Sequence, residues 1–232
     1  MPADPDIATI AAAIGQPTRA AMLTMLLAGA PASVTALARA AGVTPSTASV
    51  HLASLASRRL VTAEATGRER HYRLAGLEVA QALEALQRIA DPPSVRSLSA
   101  AGAAERLRLA RSCYDHLAGR LGIAVTDALI TRGYLHSARD TFELTDSGER
   151  WLGGLAIDVE ALRAQRRGFA LHCQDWSEQR PHLAGALGAT LLQRFLERRY
   201  VTRRPRERAL RITPAGEQAL RRELGVDLAA TP

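Results

Sequence analysis

The sequence contains no lysine, so all 30 of its basic side chains are arginines. Aromatic residues make up only 4% of the 232 residues, so a core must be built mainly from Ala, Leu, Val and Ile, which favours helices. Two cysteines are too few for a disulfide framework in a chain of this length. The excess of arginine over acidic residues gives a formal charge of +7, which favours an anionic partner such as nucleic acid.

Several signals of other protein classes are missing. The first residues, MPADPDIATI, have neither a basic region nor a long apolar run, so we expect no signal peptide, no membrane partner and a cytoplasmic location. The sequence also lacks a GxxxxGK[ST] phosphate loop, an HExxH zinc motif and a GxSxG elbow. We therefore expect a protein that is not an enzyme, with no catalytic residues.

Acidic residues are absent between Asp6 and Glu64, as a surface that faces phosphates requires. Inside this stretch, residues 33–60 have the pattern of two short helices joined by a turn at Gly42. Thr44 and Pro45 suit the N-cap and first position of the second helix. This pattern predicts a helix-turn-helix whose second helix enters the major groove of DNA.

A strand at 60–62, a polar turn at 64–70 and a returning strand at 71–74 follow the two helices. This order predicts a winged helix-turn-helix, in which the wing tip reaches phosphate or the minor groove. The residues predicted to contact DNA lie on the second helix, at its end and on the wing: Thr44, Ser46, Thr47, Ser49, His51, Arg58, Arg59, Arg68 and Arg70.

The first ninety residues resemble the ArsR-type winged-helix repressors. The resemblance lies in IGQPTRAAMLTML at 14–26, LARAAGVTPSTASVHLASL at 37–55 and GRERHYRL at 67–74. It implies a homodimer on a double-stranded DNA operator, paired through the first and last helices of the module. Helix 77–90 would be the last of these, or it would pack on the chain's own C-terminal half. Metal-sensing members often carry a Cys-containing motif where this chain has VTALARA, so that metal site is not carried over.

Residues 91–99 form a predicted linker between a domain at 1–90 and a second domain at 100–232. The second domain repeats itself, because HLAGRLGIAVTDALITRGYL and FELTDSGERWL align with HLAGALGATLLQRFLERRYV and LRITPAGEQAL. We expect two helix–hairpin–helix repeats, at 116–152 and 182–220, packed about a pseudo-twofold axis. The predicted fold class is mainly α with small β-hairpins (α+β).

Both cysteines lie next to histidines at the front of the two repeats, and Cys-x-Asp occurs in each. Cys113 and His116 would share a helix face, and Cys173 and His182 form the second pair. Thiolate and imidazole together suit zinc or another soft metal ion. Three alternatives stay open: a reversible disulfide, two buried structural cysteines, and a pocket for a small organic effector. That pocket would be lined by Tyr114, Asp115, Asp175 and Trp176.

The function predicted from these features is that of a homodimeric transcriptional regulator, a repressor released by a metal ion, metalloid or small molecule bound in the C-terminal domain. One alternative is a thiol-based redox-sensing regulator, and another is an enzyme with a cysteine nucleophile and a histidine base. The arginine-rich stretch 198–211 is predicted to form a hairpin that touches DNA, pairs with a second subunit or is solvated.

Overall fold

The computed structural model describes residues 4–67, 69–91, 97–204 and 207–228. The chain divides into two compact units, residues 1–89 and 90–232. Across the described part of the chain, every helix is too short or too polar to cross a membrane.

The first unit is a set of helices with a three-stranded antiparallel sheet of order β1-β3-β2. The core beneath the sheet is aliphatic and includes Met22, Leu37 and Leu52, each without measurable exposure. Its elements are α1 Ile7–Ile14, α2 Pro17–Leu26, β1 Ala32–Ser33, α3 Val34–Ala40, α4 Pro45–Ser57, β2 Val61–Thr66, β3 Glu69–Leu74 and α5 Leu77–Ile89.

Helices α3 and α4 form the helix-turn-helix, and local side chains fix where each helix begins. The Ser33 hydroxyl accepts a hydrogen bond from the Ala36 amide at the start of α3. The Thr44 hydroxyl accepts one from the Thr47 amide, and Pro45 occupies the first turn of α4, where its missing N–H is harmless. The winged helix-turn-helix predicted from the sequence is therefore present.

The wing is longer than the sequence pattern indicated. Residues 64–70 were expected to form a polar turn, but the strands pair as far as Thr66 and Glu69. Gly67, directly after β2, has φ of 64°, which a glycine adopts without strain. The polar residues of this segment therefore lie on strands, and Arg70 lies opposite Ala65.

The second unit consists of helices and two-stranded antiparallel hairpins. Its elements are α6 Leu98–Leu109, β4 Arg111–Cys113, β5 His116–Ala118, α7 Gly119–Thr131, β6 Leu135–Ser137, β7 Phe142–Leu144, α8 Asp146–Gly154, α9 Val159–Arg163, β8 Leu171–Gln174, β9 Pro181–Ala184, α10 Gly185–Glu197, β10 Val201–Arg203, β11 Leu210–Ile212 and α11 Pro214–Leu224.

The same order of elements occurs twice in this unit: helix, hairpin, helix, hairpin, helix, from α6 to α8 and again from α9 to α11. The repeats predicted from the sequence were shorter, and each began with a helix, at residue 116 or 182. Those residues instead lie on strands β5 and β9. The helices start only at Gly119 and Gly185, whose φ angles of 74° and 79° a continuous right-handed helix does not allow.

Helices α7 and α10 supply the centre of the second core. Thr145 and Thr213 cap α8 and α11 by accepting hydrogen bonds from the amides of Gly148 and Gly216, as the aligned sequences predict. The buried apolar side chains of α7 and α10 include Leu121, Val125, Leu129, Leu187, Leu191 and Phe195.

Candidate metal centre and nucleic-acid interface

Four side chains of the second unit converge on one point. We call them the Cys–His cluster: Cys113, His116, Cys173 and His182. One ligand atom from each lies within 4.8 Å of all the others. The two sulfurs are 3.6 Å apart and the two Nε2 atoms 3.1 Å apart. Cys173 is partly exposed, and the other three side chains are buried.

Cross-strand pairing, and not a helix face, brings each cysteine next to its histidine. Cys113 on β4 lies opposite His116 on β5, and Cys173 on β8 lies opposite His182 on β9. The expectation that Cys113 and His116 share a helix face is therefore wrong. A spacing of three fits a tight hairpin equally well, and here Tyr114, with φ of 57°, turns the chain between the two strands.

A carboxylate lies behind each imidazole ring, on the Nδ1 side. Asp115 Oδ1 is 3.2 Å from His116 Nδ1, and Asp175 Oδ2 is 3.4 Å from His182 Nδ1. The Asp115 carboxylate is within hydrogen-bond distance of His116 Nδ1, and a carboxylate that holds the Nδ1 proton leaves the Nε2 lone pair available as a metal ligand. His182 Nδ1 makes no hydrogen bond to a described residue, so Asp175 acts on this ring through its charge alone. The Nε2 atoms of the two rings face each other in the cluster.

An arginine from a distant segment holds each of these carboxylates. Arg167 Nη1 donates to Asp115 Oδ2 at 2.7 Å, in a pair whose side chains are 25% and 26% exposed. Arg111 Nη2 donates to Asp175 Oδ1 at 2.6 Å, and this second pair is buried. Burial would raise the pKa of both carboxyls, but the positive partners and hydrogen bonds outweigh it and hold each pKa below its usual value.

The protonation of the two histidines differs. Burial would lower the pKa of His116, but the negative charge of Cys113 and the hydrogen bond to Asp115 raise it to about 9. Burial, reinforced by the charge on His116, lowers the pKa of His182 to about 3. The arrangement therefore favours one positive charge between the rings, which a proton or a metal ion can supply.

The sulfur–sulfur and nitrogen–nitrogen distances in the Cys–His cluster are close to those around a tetrahedral zinc-class ion. Zinc bonds of about 2.3 Å to sulfur and about 2.05 Å to nitrogen separate two sulfurs by roughly 3.8 Å and two nitrogens by roughly 3.3 Å. The separations in this structure are 3.6 and 3.1 Å. At 3.1 Å the two Nε2 atoms share either a proton, in an N–H···N hydrogen bond, or a metal ion. A disulfide needs sulfurs about 2.05 Å apart, so the two cysteines are not disulfide-bonded in this structure.

Glycines in the two HLAGxLG segments allow the hairpins to approach the helices. A Cβ on Gly122 would lie 2.6 Å from the Leu117 carbonyl oxygen and 3.8 Å from the His182 Cβ. A Cβ on Gly188 would lie 2.4 Å from the Leu183 carbonyl oxygen and 3.3 Å from the His116 Cβ. Each glycine thus packs beside the other half's histidine. The repetition of Leu-Gly after His-Leu-Ala-Gly could have identified this role from the sequence.

The residues predicted to line a pocket for an organic effector lie in the turns of the two hairpins that form the cluster. Tyr114 lies in the turn between β4 and β5, whereas Trp176 follows β8 and carries the Arg111 guanidinium 4.2 Å from its ring centre. Asp115 and Asp175 contact the two histidines, as described above. Arg111 and Arg167, which hold these carboxylates, were not singled out from the sequence, because each pairs with a residue more than fifty positions away.

On the first unit, the N-terminal half of α4 presents the hydroxyl residues predicted to read bases. Ser46, Thr47 and Ser49 are exposed, and His51 is half-buried. Thr47 Oγ1 lies 3.0 Å from Thr44 Oγ1, and Ser49 Oγ donates to the Pro45 carbonyl oxygen at 2.9 Å. Val50, which was not among the predicted base contacts, is 68% exposed on the same helix.

Three of the four arginines predicted to bind phosphate are among the described residues, and all three are exposed. Arg58 is exposed at the end of α4 and donates to the Ser54 carbonyl oxygen at 3.0 Å. Arg59 is exposed and has φ of 58° immediately beyond the helix. Arg70 is exposed on β3, and Arg68 lies outside the described residues. The stretch 198–211 contains β10 and the first two residues of β11, with residues 205 and 206 outside the described part.

Comparison with known proteins identifies relatives of the whole chain and of its first part. Residues 14–64 match a family model described as a helix-turn-helix domain. A protein of Bacillus subtilis (strain 168), named uncharacterized HTH-type transcriptional regulator YdfF, is 40% identical over 225 residues. That alignment covers 97% of this chain and 100% of the relative, so both units have counterparts there.

Solved structures similar to this chain cover its first part. The cadmium metal-sensor CmtR from Mycobacterium tuberculosis is 34% identical and covers 39% of this chain and 99% of its own, with a TM-score of 0.32. The homodimeric winged helix-turn-helix domain Mb0332 from Mycobacterium bovis is 33% identical and covers 38% and 87%, with a TM-score of 0.33.

Proposed function

Because this chain belongs to the HTH-type transcriptional regulators of the ArsR type, we propose that it binds its operator as a homodimer and that a zinc-class ion in the Cys–His cluster sets its affinity for DNA. The observation that carries the proposal is the convergence of two sulfurs and two Nε2 atoms within 4.8 Å. In this proposal the protein is a repressor, and binding of the ion releases it from DNA.

The chemistry of the Cys–His cluster supports an ion of this class. Two thiolates and two imidazoles favour zinc, cobalt or cadmium over calcium or magnesium, which prefer oxygen ligands. The Asp115 carboxylate orients the His116 ring, and the negative charge of Asp175 beside His182 raises the basicity of that ring. When bound, the ion would supply the positive charge that the two rings share. No enzymatic step is part of this proposal.

The cluster joins two hairpins, one from each half of the second unit. Binding of the ion therefore favours whichever arrangement of the halves brings all four ligands together. An ion that binds one arrangement more tightly than the other changes the affinity for DNA by the same preference. A coupling free energy of about 1–3 kcal/mol between ion and DNA corresponds to a change of roughly 5- to 150-fold in operator affinity. We expect the ion to weaken DNA binding, as release of a repressor requires.

DNA contacts divide between base reading and phosphate binding. The exposed hydroxyls of Ser46 and Thr47 would contact base edges in the major groove, and Val50 would contact a thymine methyl group. Arg58, Arg59 and the wing arginines would bind phosphates. A DNA-binding role agrees with the cytoplasmic location predicted from the sequence.

Exposed apolar side chains on α1 and α5 support the homodimer. Ile7 is 75% exposed, and Leu86 and Ile89 are 44% and 81% exposed. Such side chains on the first and last helices of a winged-helix module suit pairing with a second copy. Sedimentation of the purified protein as a single species of the 24.9 kDa monomer mass would contradict the dimer.

We also infer that the two halves of the second unit are internal repeats related by a near-twofold rotation. The reciprocal contacts of Gly122 with His182 and of Gly188 with His116 support this inference. An experimental structure in which residues 111–154 and 171–224 cannot be superposed would overturn it.

The test compares His182→Gln with His136→Gln. His136 is an exposed histidine on β6 outside the cluster, so it controls for the loss of an imidazole. Zinc affinity is measured by competition with a chromophoric chelator, and cobalt supplies a visible spectrum that reports tetrahedral thiolate coordination. We expect His182→Gln to lose at least tenfold in zinc affinity and His136→Gln to keep the wild-type value.

DNA binding is then measured by fluorescence anisotropy on sequences that the metal-free protein selects from a random pool. Wild type and His136→Gln should lose affinity when zinc is added, and His182→Gln should not respond. Equal zinc affinity in all three proteins, or DNA affinity that ignores bound zinc, would refute the proposal.

A further inference from the structure

The two sulfurs of the Cys–His cluster are close enough to react with each other. Cys113 and Cys173 are the two cysteines of the sequence, and no disulfide joins them. Their Sγ atoms are 3.6 Å apart, so a disulfide bond of about 2.05 Å requires them to approach by roughly 1.5 Å. Both sit at or near strand ends, since Cys113 is the last residue of β4 and Cys173 the third of the four in β8.

Exposure distinguishes the two thiols. Cys113 is 3% exposed, whereas Cys173 is partly exposed. A reagent arriving from solvent therefore meets Cys173 first, and Cys113 lies behind it within reach of the product. This arrangement of an accessible thiol backed by a second thiol is the one that forms intramolecular disulfides efficiently.

From this geometry we propose that Cys173 and Cys113 are a peroxide-sensing thiol pair, and that oxidation converts the metal site into a disulfide and expels the ion. The inference rests on the proposed function for the metal, but the thiol chemistry is independent of it. The oxidant is a hydroperoxide, which approaches from the exposed side of Cys173.

The reaction has two steps. The Cys173 thiolate attacks the peroxide, the O–O bond breaks, and sulfenic acid and hydroxide form. The Cys113 thiolate then attacks the Cys173 sulfur and displaces a second hydroxide as the disulfide forms. Two protons from solvent neutralise the hydroxides, so one peroxide is reduced and two thiolates are oxidised.

Formation of the disulfide removes both thiolate ligands at once. The remaining ligands are His116 and His182, and two imidazoles hold zinc far more weakly than a set of four ligands that includes two thiolates. A thiol reductant restores the thiolates and therefore the site. Metal and peroxide would then act on the same pair of hairpins through the same sulfurs.

The experiment treats the zinc-loaded full-length protein with one equivalent of hydrogen peroxide. Released zinc is measured with a chromophoric chelator, and intact mass and peptide mapping identify the modification. We expect one zinc released per chain, a mass lower by two hydrogen atoms, a peptide joining Cys113 to Cys173, and recovery with dithiothreitol. Oxygen added to Cys173 without a disulfide, or a disulfide between chains, would overturn the inference.

Two variants separate the roles of the thiols. Cys113→Ser should accumulate sulfenic acid on Cys173, which dimedone traps, while Cys173→Ser should react with peroxide at least tenfold more slowly. Equal reaction rates for both variants would contradict the assigned order. Metal-free wild type receives the same peroxide treatment. Its disulfide should form even if zinc binding fails, and absence of the disulfide there would refute the thiol pair itself.

Discussion

Substitution of Asp175 by asparagine tests whether the buried carboxylate holds the metal site together. Asp175 Oδ1 accepts hydrogen bonds from Arg111 Nη2 at 2.6 Å and from the Ser177 amide at 2.9 Å. Oδ2 accepts one from the Gly119 amide at 2.7 Å. The side chains of the ion pair are 0% and 1% exposed. Asn is isosteric with Asp, so Asp175→Asn removes the charge and one acceptor without opening a cavity.

The expected loss of stability in Asp175→Asn follows from the burial of its ion pair with Arg111. Removing one partner of a buried ion pair costs about 3–5 kcal/mol, because the other charge stays desolvated and unpaired. The amide oxygen of Asn keeps some of the hydrogen bonds, so we expect about 3 kcal/mol. At roughly 3 °C per kcal/mol for a domain of this size, the melting temperature should fall by about 9 °C.

Asp127→Asn is the matched control. Asp127 also pairs with an arginine through two hydrogen bonds, from Arg180 Nη1 at 3.0 Å and Nη2 at 2.8 Å. These side chains are 43% and 57% exposed, and solvent screens their attraction. The expected loss is therefore about 0–1 kcal/mol.

The assay is urea unfolding at pH 7 in the presence of a chelator and a reductant, so that bound metal does not contribute to stability. A separate zinc titration should show 10- to 100-fold weaker binding for Asp175→Asn, because the variant removes the negative charge that lies 3.4 Å from His182 Nδ1. Equal losses of stability in the two variants would refute the claim that burial sets the strength of the pair. Unchanged zinc affinity would refute the role of the Asp175 charge beside His182.

Two further predictions concern DNA and packing. Arg70→Ala should weaken binding to all DNA sequences and reduce the salt dependence of the affinity. Ser46→Ala should instead change the preference between DNA sites. Salt slopes and site preferences identical to those of the wild type would contradict this division. Gly122→Ala should destabilise the second unit by about 1–3 kcal/mol, because its Cβ would meet a backbone carbonyl at 2.6 Å. Gly153→Ala, in a helix position with open space, should be neutral or stabilising by up to about 1 kcal/mol, and a thermal melt that ranks the two variants in the opposite order would refute the contact.

Local signals explain why the first unit was predictable. Thr44 and Pro45 start α4, and Ser33 starts α3, through hydrogen bonds to residues three positions away. Such contacts depend on neighbouring residues in the chain, so the sequence alone contains them. The wing was less well predicted, because strands that pair as far as Thr66 and Glu69 carry polar residues there and show no apolar alternation.

The residues of the Cys–His cluster were predictable and their local structure was not. The repeat places a Cys and a His at the front of each half, which suggested that they meet. The helix assignment failed because the spacing of Cys113 and His116 is compatible with both a helix face and a hairpin. The partners of the carboxylates could not be found from the sequence, since Arg111 is 64 positions from Asp175 and only folding brings them together.

The division of the cluster between two hairpins has a consequence for regulation. Each hairpin supplies one sulfur and one nitrogen, so neither half holds a four-ligand site alone. Two ion pairs of unequal burial join the halves: Arg111 of the first half pairs with buried Asp175 of the second, and Arg167 of the second half pairs with partly exposed Asp115 of the first. Loss of one partner costs more in the buried pair, because the other charge stays desolvated and unpaired. Arg167→Gln should therefore weaken zinc binding less than Asp175→Asn. Zinc titrations in which Arg167→Gln has the larger effect would contradict this order.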